Sequence, residues 1–196
     1  MPAETPRRRL DREQVLSAAE SIVDRDGAAG LTMTALASQL GVNVSSLYNH
    51  VPSLEGLRGE LQNRAMLELG VQLRNVAMGK AGERGLRALA QTLRTFARAH
   101  PGRYELATSE PHDRDSFAEA SANAGAALRA IIASYGIDDA SFDFQVSAFA
   151  ALHGVLVLEN TGFFGGVLDA DRTYELVLGL VVGLLSDAAP PEARAV

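Results

Sequence analysis

Three residues constrain this chain more than any others: Ala37, Gly41 and Leu47, spaced four and then six positions apart. They sit between two short stretches of helical periodicity. The first runs from Met33 to Leu40, with Leu36, Ala37 and Leu40 on one side and Thr32 placed to cap it. The second follows Asn43, a candidate cap, and carries Val44, Leu47, Tyr48 and Val51 along or near one side. Pro52 ends it, because the residue before a proline is pushed out of the helical region. Two short helices cross steeply only if the contact between them is small and the turn is tight. Ala37 supplies the small contact, Gly41 a turn in which a left-handed backbone costs little, and Leu47 the apolar lock. The segment reads as a helix-turn-helix, with an ordinary helical hairpin as the alternative.

The rest of the chain is helical in pattern. Residues 11–26 place Val15, Leu16, Ala19, Ile22 and Val23 on one face, with Asp11 as cap and Gly27 as stop. Ser53 is positioned to cap a long fourth helix from Leu54 to about Ala77, and Gly79 and Gly82 flank a break. Helical patterns resume at 83–99, 113–134, 141–160 and 172–187, with a short piece around 102–109 and no strand alternation. The predicted fold is all-α: a helix-turn-helix head at 1–54, preceded by a basic arm, joined to a larger helical body at 55–196.

Cysteine is absent, which excludes a disulfide framework and a cysteine-based zinc site. The N-terminus has basic residues but no apolar run behind them, so no signal peptide is read there. The longest apolar stretch, Leu176 to Leu185, is about half of the roughly 20 residues that a membrane span needs. No nucleophile elbow, paired-histidine metal motif or cofactor fingerprint occurs. The expectation is a cytoplasmic protein without membrane, metal or cofactor, and not an enzyme.

The net charge of −6 argues against nonspecific affinity for nucleic acid, but distribution matters more than the sum. Arg7, Arg8, Arg9 and Arg12 cluster at the N-terminus. Residues 27–54 contain no Asp, Glu, Lys or Arg at all, whereas a surface helix ordinarily carries solvated charge. The second short helix turns Ser45, Ser46, Asn49 and His50 away from its apolar side. A face of hydroxyls, an amide and an imidazole, free of carboxylates, can enter a major groove without repelling phosphates. A neutral helix buried against the body is the bland alternative.

Residues 31–57, LTMTALASQLGVNVSSLYNHVPSLEGL, resemble the DNA-binding head of the tetracycline-repressor (TetR) family. The resemblance rests on Leu31-Thr32, Leu36-Ala37, Leu40-Gly41-Val42 and above all Leu47-Tyr48-Asn49-His50-Val51. It implies phosphate contacts at Thr32, Thr34, Tyr48 and His50. It also implies base reading by Asn43, Ser45, Ser46 and Asn49, on a palindromic operator in double-stranded DNA. Many family members have a lysine at the start of the fourth helix, where this chain has Leu54. The missing ionic anchor shifts the phosphate contribution toward Ser53, the helix dipole and the arm of Arg7, Arg8 and Arg9.

The resemblance further implies a body that binds a small effector and forms a homodimer. Residues 141–160 and 172–187 are apolar around most of their circumference, as helices buried on several sides must be. Gly179, Gly183, Ala148 and Ala151 would permit close approach in a four-helix interface, against the alternative of an intramolecular core. Leu152-His153-Gly154 resembles a Trp-His-Gly element of one subgroup, with Leu in place of Trp. Candidate effector-pocket residues are Phe96, His100, Tyr104, His112, Phe117, His153, Glu159 and Asn160. The expected effector is mainly apolar, and its binding releases the operator. The competing readings are a regulator controlled by a protein partner or by abundance, and an enzyme using His153 with Glu159 or His112 with Asp113 or Asp115.

Overall fold

The computed structural model describes residues 10–191. Among them the chain folds as α1 (Arg12–Gly30), α2 (Met33–Leu40), α3 (Val44–Leu47), α4 (Leu54–Ala77), α5 (Gly82–Ala99), α6 (Pro101–Ala107), α7 (Arg114–Ala133), α8 (Asp143–Asn160) and α9 (Ala170–Ala188). Arg7, Arg8 and Arg9 lie outside the described residues.

The helix boundaries follow local chemistry. Asp11 caps α1 through the amide of Gln14, and the Gln14 side chain returns a hydrogen bond to the Asp11 amide, a reciprocal capping box. Thr32 caps α2 and Ser53 caps α4, each accepting from the amide three residues on. Gly41 ends α2 at φ +66° and ψ 33°, the left-handed conformation that glycine adopts at no steric cost. Gly27, at φ +74°, interrupts α1 where a stop was expected; a further helical turn then carries the element to Gly30. Pro101 occupies the first turn of α6, where its missing N–H costs nothing.

Two apolar cores result. The first joins Val15, Leu16, Ala19, Ile22 and Val23 of α1 to Leu36 and Ala37 of α2 and to Leu47 and Val51. Leu57 and Leu61 of α4 and Leu106 of α6 complete it. The second begins at Ala65, one turn further along α4, and gathers side chains from α5 to α9. The 24 residues of α4 span about 36 Å, so one rigid element belongs to both cores. The α6 helix also reaches the first core. A Cβ on Gly102 would lie 2.0 Å from the Val23 carbonyl oxygen, so only glycine allows α6 to approach α1 this closely.

Candidate nucleic-acid interface and body cavity

In the head, the apolar lock predicted from spacing is in place: Ala37 and Leu47 are buried in the first core. The α3 helix is shorter than its pattern suggests. Regular helix ends at Leu47, and residues 48–50 continue as hydrogen-bonded turn, with the amides of His50 and Val51 both donating to the Leu47 carbonyl. Pro52 explains the early end, since it disfavours the helical conformation at Val51.

Around this lock the polar side chains face outward. Thr32, Thr34, Asn43, Ser45, Tyr48 and Asn49 are exposed, with Ser46 and His50 half-buried. Tyr48 shows 54% of its surface, so its ring is presented rather than packed. The Thr32 hydroxyl accepts from the Ala35 amide in capping α2. Its own proton remains available to an acceptor outside. Asn43 was expected to cap α3; its side chain makes no cap hydrogen bond, because the Ser46 amide is satisfied by the Asn43 backbone carbonyl instead. That leaves the amide side chain clear of the helix end. Leu54 packs partly buried against the head core, a use that a charged side chain at this position would not serve.

The described cations of the head are engaged internally. Arg12 pairs with Glu60, and Arg25 pairs with Asp26. Arg58 donates to the Leu31 carbonyl at 3.2 Å, tying the first turn of α4 to the loop before α2.

Polar contacts join the head to the body. Gln62 of α4, 1% exposed, donates to the Leu106 carbonyl at 2.9 Å and to the Ser109 hydroxyl at 3.1 Å. Its oxygen accepts from the His112 amide at 3.2 Å. Asp24 of α1 accepts from Arg103 at 2.9 Å, and Arg103 also reaches Glu68 of α4. Sequence reasoning passed over Gln62. The available signal was a polar side chain beside the apolar stripe of Leu57, Leu61, Ala65 and Leu69.

The body contains a cavity of about 650 Å³ between α4, α5, α7 and α8. Its walls are largely aliphatic and aromatic, with Leu69, Leu89, Leu93, Phe117, Phe149 and Leu152 contributing. Of the candidate pocket residues, Phe117 lines it. The others sit around it or away from it. Phe96 is buried in the body core, packed at an angle against the ring of His100, which also faces Asp24. Tyr104 is buried, and its hydroxyl lies 2.8 Å from Nδ1 of His153. The His153 ring in turn stacks on Phe149, a cavity residue. Burial lowers the pKa of His153 and raises that of Tyr104, so both shifts favour the neutral forms. Asn160 donates to the Ala97 carbonyl at 3.2 Å. His112 faces Glu55 at 3.0 Å.

Glu159 serves an ion cluster with Arg94, Arg98 and Asp171. Burial pushes its carboxyl up, but hydrogen bonds from Arg98 and Arg94 outweigh this and hold it below the usual range. The guanidinium of Arg94 lies 4.3 Å from the centre of the Tyr174 ring, fastening α5 to α9. The paired acid–base groups that an enzyme reading required are thus divided. His153 bonds Tyr104, Glu159 bonds arginines, and Asp113 caps α7.

The outer faces of α8 and α9 expose large apolar side chains. Leu176, Leu180 and Leu184 form a ridge at helical spacing, with Leu180 73% exposed, and Val146, Val157 and Leu158 are exposed on α8. Beside Gly179 and Gly183 there is open space. No helix among the described residues is long and apolar enough to cross a membrane.

Comparison with known proteins agrees with this architecture. Residues 86–181 match the family model described as a tetracyclin repressor-like C-terminal domain. An uncharacterized HTH-type transcriptional regulator of Mycobacterium tuberculosis is 36% identical over 180 residues, covering 90% of this chain and 82% of that protein. The crystal structure of SCO4313 superposes with a TM-score of 0.71 at 27% identity, over 88% of this chain and 95% of that one. The Streptomyces coelicolor TetR family protein ActR, in complex with (S)-DNPA, superposes with a TM-score of 0.68 at 18% identity, over 93% of this chain and all (100%) of that one.

Proposed function

The chain belongs to the TetR family of helix-turn-helix transcriptional regulators, and we propose that it is a homodimeric repressor released from a palindromic operator by a small, mainly apolar effector. The observation that carries this reading is the exposed, charge-free face made by Asn43, Ser45, Tyr48 and Asn49 over a buried Leu47. In this reading Thr32, Thr34, Tyr48 and His50 hold phosphates, while Asn43, Ser45, Ser46 and Asn49 read base edges. The unpaired leucine ridge of α9 and the outer face of α8 meet their two-fold copies, and the open space beside Gly179 and Gly183 receives the partner helix. The apolar body cavity takes the effector, as concave sites of this size and polarity commonly do. The ligand held by ActR supports a ligand-responsive body in this fold. Ser109 and Pro111 line the cavity, and Gln62 binds Ser109 to α4, which supports mechanical coupling between effector and head. A cytoplasmic location follows from the proposed role.

Selection of bound duplex from a random DNA library tests the reading. The expected result is a palindromic consensus whose half-sites are about one helical turn apart, as a two-fold dimer of such heads requires. Failure to enrich any sequence, or enrichment of a single half-site without symmetry, overturns it.

A further inference from the structure

The cavity is mainly apolar, with Thr108, Ser109, Ser121 and Gln145 as its uncharged polar lining, and it carries charge at one place. Among the described residues that line it there is a single cation, Arg129 of α7, and no Asp, Glu or His. Arg129 has no carboxylate partner among the described residues; its guanidinium approaches the Gln145 side chain at 3.5 Å and lies 5.6 Å from the centre of the Phe142 ring. Arg87, Arg94, Arg98 and Arg103 of the same body are each paired with an acid, and the other body arginines without an acid partner among the described residues, Arg74, Arg84, Arg114 and Arg172, do not line the cavity. Two acids near the start of α8 hold local hydrogen bonds. Asp139 accepts from the amides of Phe144 and Gln145, and Asp143 accepts from the Ser141 hydroxyl. Gly125, one turn before Arg129 and also on the cavity wall, makes room for the head of the side chain: a Cβ there would lie 3.3 Å from an Arg129 terminal nitrogen. Arg129 is therefore folded back along α7 toward the cavity rim.

We infer that the effector is an amphiphile bearing one carboxylate, whose apolar chain fills the cavity and whose head pairs with Arg129 and Gln145. This inference rests on the reading of the cavity as the effector site. A guanidinium binds a carboxylate through two parallel hydrogen bonds, and no Asp or Glu lines the cavity to compete for it. A neutral apolar ligand would fill the same space without using the cation. A cationic one would meet Arg129 with no acid to offset it.

Calorimetric titration of the full chain with dodecanoate and with 1-dodecanol separates these cases. Dodecanoate is expected to bind about tenfold or more tighter than the alcohol, the scale of a charge-assisted hydrogen bond. Arg129→Gln should bring the acid down to the affinity of the alcohol while leaving the alcohol unchanged, and Arg129→Lys should retain a preference for the acid. Arg129 lies on the exposed side of α7, so both substitutions leave the core intact. Along the series from octanoate to dodecanoate, affinity should rise about fourfold per methylene. Equal affinity of parent protein for acid and alcohol, or an unchanged acid affinity in Arg129→Gln, overturns the carboxylate assignment and leaves the apolar-effector reading standing. If neither ligand binds, the assignment falls together with the cavity reading on which it rests.

Discussion

At the scale of single residues, the exposed face of the second short helix and the buried amide of Gln62 do opposite work. The first is exposed and, in the proposed function, meets DNA. Tyr48 and Asn49 lie side by side on it, both exposed, and the proposed function gives them different consequences. Tyr48→Ala should weaken binding to every DNA sequence alike, because phosphate contacts position without specifying. Asn49→Ala should change preference at one base step by about 1–3 kcal/mol. Competition binding on operator variants reads both, and parental behaviour of the two variants would remove this helix from the interface. Gln62 is itself buried and bonds the buried Leu106 carbonyl and the part-buried His112 amide. In Gln62→Leu the His112 amide loses its acceptor, while the Leu106 carbonyl keeps the Ser109 amide and hydroxyl as donors. Each group left unsatisfied costs about 1–3 kcal/mol, so the urea midpoint should fall clearly. A midpoint equal to that of the parent would show that the loop before α7 finds other partners.

At the scale of elements, α8 and α9 are amphipathic in an uncommon sense: apolar inward, where Leu156, Tyr174, Leu178 and Leu185 are buried, and apolar outward as well. A monomer would leave the outer ridge of Leu176, Leu180 and Leu184 in water. Such patches mark association surfaces, and the two-fold four-helix arrangement buries them in one step. Gly183→Arg, which places a long charged side chain in the open space beside α9, should convert a dimer into a monomer without disturbing the intramolecular core. Sedimentation at micromolar concentration checks this; a parent protein that is already monomeric refutes the interface. The short helices show the same logic in miniature. The α3 helix has too few residues to be stable alone, and it persists because Leu47 and Val51 are buried against α1, α2 and α4.

At the scale of the whole molecule, the charge balance bears on DNA binding. The chain is net acidic, the described arginines of the head are turned to internal partners, and Leu54 is committed to the core. Under the proposed function the phosphate contribution is assigned to Arg7, Arg8 and Arg9 together with the hydroxyls and helix ends. Changing all three arginines to alanine should flatten the slope of log affinity against log salt by roughly two to six units per dimer, at about 0.9 per phosphate. Specific and random DNA should weaken together. An unchanged slope would assign the backbone contacts to Thr32, Thr34, Tyr48 and His50 without the arm.

Local structure was legible in the sequence wherever its cause is local. The caps at Asp11, Thr32 and Ser53, the left-handed turn at Gly41 and all five inward residues of α1 follow from side chains within a few positions of one another. So does the charge-free face, because the pitch of a helix sets which side chains lie opposite its apolar stripe. The cavity was not legible in this way. Phe117 was identified from its type, but Tyr104, Glu159 and Asn160 also have the chemistry of pocket residues and are taken up by His153, by Arg94 and Arg98, and by the Ala97 carbonyl. Each partner is far away in sequence, and only packing decides which polar groups satisfy one another and which remain available. The same holds for Arg129, an ordinary arginine in the sequence. Its significance comes from α7 and α8 meeting at the cavity rim while the neighbouring Asp139 caps α8. Sequence alone determined the helices, their order and the helix-turn-helix proposed to face DNA, since these depend on neighbours along the chain. Tertiary structure decided where space was left between the helices, since a void belongs to no single residue.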